Sequence, residues 1–497
     1  MRGQITYDLV PFSSNYVGLD YSAVERKPGR GLVVELLDER NQILSSAITD
    51  NEGRYFFNVE RNLQAKVRVK AQLWNDQSPS WDFRVTDNTN NNALYAMEGS
   101  LVAVTESTAV RNLHASSGWT GNGYTQIRVA APFAIADAVY TGVVRVNSAG
   151  NQKNFPPLEL RWSPKNNTAY GDAALGEIGT SYYGEDAIYI LGDENNDTDE
   201  YDPHVILHEW GHYLERVFSR SDNIGGGHGY SDKLDMRVAF SEGFANAFSA
   251  IMLDDPHYRD TTGAQQASGF VDDVSQKSHL VRGWYSEASI QSIIYNFYTS
   301  GLGKTAREFA DIFNVMISPG YSQASGFITI YTFADEVRNL MPTQTANINN
   351  LLREQNIEIT DSFGTGESNS GGYAGSLPLY KALPLNNIPI NVCSTNRFGS
   401  YNKLGVTQFF LINLVASGNY GITAVESGES GDSDPDLYLY ANGLLRAKAE
   451  AATLDQEKLS LFLNAGTYVL EVVDARATDE GMGELTACFN VQMQQLN

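Results

Sequence analysis

The run Asp202-Pro203-His204-Val205-Ile206-Leu207-His208-Glu209-Trp210-Gly211-His212-Tyr213-Leu214-Glu215-Arg216-Val217-Phe218 constrains this chain more than any other stretch. It contains His208-Glu209-x-x-His212. On a helix, positions i and i+4 share a face, so both imidazoles can point at one metal ion. Glu209 follows the first histidine directly, which puts its carboxylate within reach of a water held there. Asp202 suits the N-cap and Pro203 the first helical position, where its missing N–H costs nothing. Val205, Ile206, Leu207, Trp210, Tyr213, Leu214, Val217 and Phe218 make an apolar surface too broad for a solvent-facing helix, so a buried helix is expected. Ser219, Asp222, Asn223 and Gly225-Gly226-Gly227 then stop it. With 7 histidines in 497 residues, the pattern arises by chance in roughly one such chain in a hundred.

The length fits about three domains, or one large domain with appendages. A formal charge of −24 argues against nucleic acid and anionic membrane surfaces as partners and leaves carboxylates free for calcium. No apolar run is long enough for a membrane span. The N-terminus has no apolar h-region, and because the modules read as extracellular, a secreted protein whose leader has been removed is expected. Cys393 and Cys488, the two cysteines, are expected to bond and tie the first and last strands of a terminal domain.

From Gly31, short strands separated by turns (Leu32 to Leu37, Ile43 to Ile48, Arg54 to Val59, Ala65 to Ala71) predict a small antiparallel sandwich. Pro132 breaks or starts an apolar helix within Ala130 to Tyr140. Leu158 to Trp162 alternates as a strand, and Ala187 to Leu191 reads as a more buried one. The latter is the expected sheet edge for an extended substrate, bound by strand addition. Asp193, Asn195, Asp197 and Asp199 then sit at alternate positions, as in the first half of a calcium loop. Thr198 at the sixth place and His204 at the twelfth exclude an EF-hand. What remains open is a looser calcium site or acidic residues at a helix N-terminus.

Two histidines leave a catalytic zinc one protein ligand short. The candidates for the third are His228, Asp235 and Glu242. His228 lies in a glycine-rich loop that reads as mobile. Glu242 lies in an otherwise apolar helix, Val238 to Met252, where a lone carboxylate is costly unless paired or metal-bound. Ser241, Gly243, Ala245 and Ala247 would let that helix pack closely on another, and Asn246, one turn on, is placed to orient a ligand histidine. For a donor to a developing oxyanion the candidates are His279, Tyr285 and Tyr295. Tyr285 is preferred because it precedes a helix capped by Ser286 and ending at Gly301. Further helices are expected at Arg307 to Ile317, Tyr331 to Met341 and Ile348 to Gln355. A Gly/Ser-rich stretch, Ser362 to Gly375, marks a boundary.

His208-Glu209-x-x-His212 followed by Ser241-Glu242-Gly243-x-Ala245-Asn246 resembles the gluzincin peptidases, thermolysin-like in the broad sense. The resemblance implies Glu242 as third zinc ligand and Glu209 as general base. Metzincins are excluded, because Glu215 and Phe218 stand where that family has Gly and His. The group usually carries Asp where this chain has Asn246, and the 29 residues between His212 and Glu242 exceed the common thermolysin spacing.

Thr49-Asp50-x-x-Gly53-x-Tyr55-x-Phe57 resembles carboxypeptidase-regulatory-like domains over residues 30 to 75. After the boundary, Asp434-x-Asp436-Leu437-Tyr438 and Leu463-x-Ala465-Gly466-Thr467-Tyr468 resemble the bacterial pre-peptidase C-terminal domain. Asp432, Asp434 and Asp436 there are further calcium candidates.

The expected architecture is therefore multidomain: an α+β zincin-like catalytic domain over 104–375, flanked by small antiparallel β-sandwich domains at 1–103 and 376–497. The expected activity is secreted zinc-dependent endopeptidase, with protein or peptide substrate as partner. The alternatives are a metal-dependent aminopeptidase, or a surface-binding protein built on a peptidase core.

Overall fold

The computed structural model describes residues 1–14, 17–105, 109–184, 187–300, 309–428, 432–452 and 454–496. The expected helix start at Arg307 and helix end at Gly301 lie outside them. Two compact units form, one from Met1–Val217 with Phe248–Asp273, the other from Phe218–Ala247 with Val274–Asn497.

The first unit is built on a mixed sheet whose main path runs Tyr182–Gly184, Ala187–Ile190, Leu158–Trp162, Trp81–Asp87, Gln64–Asn75, Leu32–Leu37 and Ile43–Ile48. The strand Trp81–Asp87 pairs in parallel with Leu158–Trp162, from Leu158 opposite Phe83 to Arg161 opposite Thr86. The sheet thus crosses the boundary expected near residue 103, and the N-terminal strands are not a free-standing sandwich. The strand Leu32–Leu37 explains why. All six of its residues are buried, which a sheet with one solvated face does not require. Helix α1 (Ala131–Ser148), with a proline in its first turn, packs on Trp81–Asp87 and Gln64–Asn75.

Helix α2 (Pro203–Phe218) is buried through Trp210, which is 0% exposed. Its indole stacks on Phe155 at 6.0 Å and meets Phe83 edge-on at 6.3 Å. Gly142 of α1 lets this indole approach, since a Cβ there would lie 2.8 Å from Trp210. Asp202 occupies the cap position, its carbonyl accepting from Ile206 N at 3.2 Å. Its side chain does not cap. One carboxylate oxygen accepts instead from Thr261 N and Oγ1, at 2.7 and 2.8 Å.

Helix α3 (Met236–Leu253) contributes Met236–Ala247 to the second unit and its last turn to the first. Helix α4 (Glu287–Thr299) is capped by Ser286, as expected. The two helices meet at Gly243, where a Cβ would lie 2.5 Å from Ile290 Cβ. Helices Ala310–Ile317, Ile330–Leu340 and Thr345–Glu354 follow, the last two starting within three residues of their expected positions.

The remainder of the second unit is a pair of sheets. One runs Tyr380–Ala382, Thr407–Leu414, Gly466–Asp474, Pro435–Ala441 and Leu444–Ala449. The other runs Ile390–Thr395, Thr486–Gln495, Gly418–Glu426 and Gln456–Leu463. Between them lies a core that includes Phe410, Ile412, Ile422, Leu437, Leu439, Leu470, Phe489 and Val491. Cys393 and Cys488 are bonded and lie opposite each other in register on neighbouring strands of the second sheet, Ile390–Thr395 and Thr486–Gln495, its first and last in chain order. The bond closes a loop of 95 residues in sequence. Replacing both cysteines by serine is expected to cost about 2–5 kcal/mol, read as a lower urea midpoint with a somewhat steeper denaturant slope, since the unfolded chain is freed to expand.

The boundary expected at 375 is not the edge of a unit either. The second unit continues from Val274 to Asn497. Arg237 in the first turn of α3 is 2% exposed and is clasped by Asp235, the residue just before the helix, and by Glu471 of the strand Gly466–Asp474, each at 2.9 Å.

Candidate metal centre

His208 and His212 lie one turn apart on α2, and their Nε2 atoms face each other at 3.1 Å. Glu242, on the second turn of α3, completes the group. Each of the three residues offers one ligand atom, and these atoms lie within 4.8 Å of one another. His208 is 8% exposed and Glu242 5%, so this is a largely desolvated set of two imidazole nitrogens and one carboxylate. Two facing imidazole nitrogens and a carboxylate oxygen are the donor set a zinc hydrolase uses, and the residues present fit that ion. Asp235 is not part of the group, because its carboxylate is committed to Arg237.

One supporting contact of the histidines was not expected from the sequence. The imidazole of His212 turns its Nδ1 toward Glu215, 3.5 Å away and buried. A carboxylate there holds the proton on Nδ1 and leaves the Nε2 lone pair facing inward. Asn246, the expected orienting residue, donates through Nδ2 to Gln291 of α4 at 3.0 Å. The signal for Glu215 was present in the spacing, since i+3 on a helix is a neighbouring position.

Glu209, 8% exposed, accepts a hydrogen bond from Tyr183 N at 2.7 Å. The donor strand Tyr182–Gly184 is the edge of the large sheet. Ala187–Ile190, the expected edge, is paired on both sides, in parallel to Leu158–Trp162 and antiparallel to Tyr182–Gly184. A short hairpin return thus replaces it at the rim.

Tyr285 does not have a free hydroxyl. Its O–H lies 3.0 Å from Asn369 Oδ1 and 3.1 Å from the Arg282 carbonyl. The ring is 5% exposed, and burial raises its pKa above the ordinary phenol value. A single proton already held by two acceptors is not offered to an oxyanion.

The residue that does approach the ligands is His228. Its Nε2 lies 3.3 Å from Glu242 Oε2 and its Nδ1 3.1 Å from Glu287 Oε2. Burial alone would lower this imidazole, but hydrogen bonds and charge from Glu242 and Glu287 outweigh it and raise it to about 10. Asn223 Nδ2 donates to the other oxygen of Glu242 at 2.9 Å. The glycine-rich loop carrying His228 is pinned from a distant part of the chain. Tyr401 O–H donates to the Ile224 carbonyl at 2.9 Å, Asn402 Nδ2 to those of Gly225 and Gly226 at 2.8 and 3.0 Å, and Lys403 Nζ to that of Gly227 at 2.7 Å. Local sequence carries no trace of those partners.

Of the expected calcium residues, Asp197 and Asp199 gather with Asp260 within the same 4.8 Å limit. Asn195 is exposed and its amide contacts Glu194. Asp193 faces Asp197 across a two-residue ladder. The alternating acids therefore form a hairpin and not a calcium loop, with Asn195 at its turn. Asp432, Asp434 and Asp436 form no such group among the described residues, and Asp432 is paired with Arg476 at 2.7 Å.

Comparison with known proteins adds a family likeness. Residues 148–344, which include α2, α3 and α4, match the Mycolysin C-terminal domain. No curated protein matches the chain. Among solved structures, the pre-peptidase C-terminal domain of a collagenase from Bacillus anthracis is 16% identical, covering 23% of this chain and 96% of that one, with a TM-score of 0.17. A periplasmic inhibitor of g-type lysozyme from Salmonella Typhimurium is also 16% identical, covering 23% and 98%, with a TM-score of 0.16. No helix among the described residues is long and apolar enough to cross a membrane. Through residues 148–344, the chain is peptidase-related.

Proposed function

We propose that the protein is a secreted zinc-dependent endopeptidase of the gluzincin type. The observation that carries this reading is the approach of ligand atoms from His208, His212 and Glu242 to within 4.8 Å of one another, with Glu209 beside the first histidine. The Mycolysin match over the same helices supports it, and the Cys393–Cys488 bond is in keeping with an oxidising compartment.

His208, His212 and Glu242 would hold Zn2+, which when bound acidifies a water and polarises a carbonyl. Glu209, held by Tyr183 N, accepts the proton from the attacking water and returns it to the leaving amine. Glu215 keeps His212 in the tautomer that presents Nε2. His228 and Asn223 fix the Glu242 carboxylate. The strand Tyr182–Gly184, at the rim of the large sheet, lies beside Glu209 and is the element along which an extended peptide would align.

Metal analysis of the purified protein, run beside a casein digestion assay, tests the reading. About one zinc per chain with internal cleavage is the expected result. Absence of zinc binding overturns the proposal. Zinc without turnover would mark a binding protein on a peptidase core, and release of N-terminal residues alone would mark an aminopeptidase.

A further inference from the structure

The first unit holds a second group of acidic side chains that the proposed hydrolysis does not use. Asp197 lies on the hairpin strand Asp197–Thr198, and Asp260 on the strand His257–Thr262 that pairs with it. Asp199 follows two residues after Asp197, and the three carboxylates offer oxygens within 4.8 Å of one another. Asp199 is 2% exposed. One of its oxygens accepts from Ser181 Oγ, and the other, Oδ1, is buried with no hydrogen-bond partner. The same holds for Oδ1 of Asp197 and of Asp260.

An independent observation comes from Asp202, which is 0% exposed. Thr261 satisfies one of its oxygens, and the other is buried without a partner. Asp202 lies beside the group: its carboxylate is bonded to Thr261, the residue after Asp260, and its N–H donates to the Asp199 carbonyl at 2.9 Å. None of the four pairs with a lysine or arginine among the described residues. Burial first, then the Asp260 charge, pushes Asp197 up to about 7, and burial pushes Asp260 to about 6 in spite of nearby His208. Four clustered carboxyls with four orphaned oxygens call for a cation, because buried polar atoms otherwise find partners and buried charges are compensated. The donors are all oxygen, which favours a hard cation of flexible coordination over zinc.

We propose that Asp197, Asp199 and Asp260, backed by Asp202, form a calcium site that braces the start of α2. The Asp202 carbonyl opens the α2 hydrogen-bond ladder, and the Asp199 carbonyl accepts from Asp202 N at 2.9 Å. A cation held here clamps the hairpin and the strand His257–Thr262 at the N-terminal end of the helix that carries His208 and His212. The site does not depend on the hydrolytic reading, and its test needs no turnover.

The full chain, in buffer stripped of divalent ions, is titrated with CaCl2 and melted. Calcium is expected to raise the Tm by about 3–10 °C, with magnesium giving a much smaller rise. Terbium added in place of calcium should luminesce on tyrosine excitation, because Tyr258 stands two residues before Asp260 on the strand His257–Thr262 and so on the same face of it, and calcium should quench the signal. Asp199→Asn removes one of the repelling charges. That variant should melt at or above the calcium-free wild type and lose both the calcium shift and the terbium signal. An Asp434→Asn variant should keep both. A calcium shift that survives in Asp199→Asn and Asp260→Asn, or no calcium shift in the wild type, overturns the proposal. A His208→Ala/His212→Ala variant that loses zinc and keeps the calcium shift separates this site from the proposed metal centre.

Discussion

Replacing Glu209 by Gln is expected to lower kcat on a peptide substrate by about 10²–10⁴-fold while zinc content stays unchanged. The amide has the shape of the carboxylate, and its carbonyl oxygen can still accept from Tyr183 N, which lies 2.7 Å from Glu209 Oε2. What it loses is the capacity to take a proton. Melting temperature should therefore move little, and KM less than kcat, because Glu209 is assigned to proton transfer and not to holding the ground state. Steady-state kinetics, metal analysis and a thermal melt on the same preparation check all three. Turnover equal to wild type would remove Glu209 from the mechanism. Loss of zinc together with activity would make it a structural support of the ligands.

The largest stability effect is expected at Arg237. Its guanidinium is 2% exposed, forms ion pairs with Asp235 and Glu471, and lies 4.8 and 4.9 Å from the ring centroids of Phe327 and Phe409. Arg237→Met keeps most of the volume and strands two buried carboxylates. The expected cost is about 3–5 kcal/mol, because an unpaired buried charge is worse than no pair at all. Adding Glu471→Gln to Arg237→Met should recover part of the loss, and urea unfolding of the four proteins in that cycle measures how much. The same contacts predict that a chain ending at residue 375 does not melt cooperatively, since it would lose Glu471 and also the Tyr401, Asn402 and Lys403 side chains that hold residues 224–227. If Arg237→Met unfolds at the wild-type midpoint, the C-terminal sheets are an appendage after all.

Several parts of the site were legible before any coordinates. α2 was, because a proline at its start, an apolar surface and a glycine-rich stop all agree on one helix. The burial of Glu242 was, because its neighbours on α3 are nearly all apolar. Gly243 was expected at a close helix contact, and Ile290 of α4 meets it there. The Cys393–Cys488 pairing also followed from two cysteines near the ends of a strand-rich region. Other assignments failed for identifiable reasons. Tyr285 was chosen for its place at the mouth of a helix, but a hydroxyl's role depends on the acceptor it meets, and Asn369 lies 84 residues on. The alternation of Asp193, Asn195, Asp197 and Asp199 fits a hairpin as well as a loop, and only pairing with the strand His257–Thr262 chooses between them.

What the sequence determined by itself is local. The i, i+4 spacing puts His208 and His212 on one face of α2, and helical geometry allows nothing else. Its apolar surface commits that helix to burial, and the unusual carboxylate on α3 marks Glu242. What only the tertiary structure decided is which distant groups complete these local features: Asn402 on the loop of His228, Glu471 on Arg237, and Asp260 beside Asp197 and Asp199. The physical reason is that a buried polar atom must find a partner, while the chain position of that partner is set by how sheets and helices pack and not by neighbouring residues.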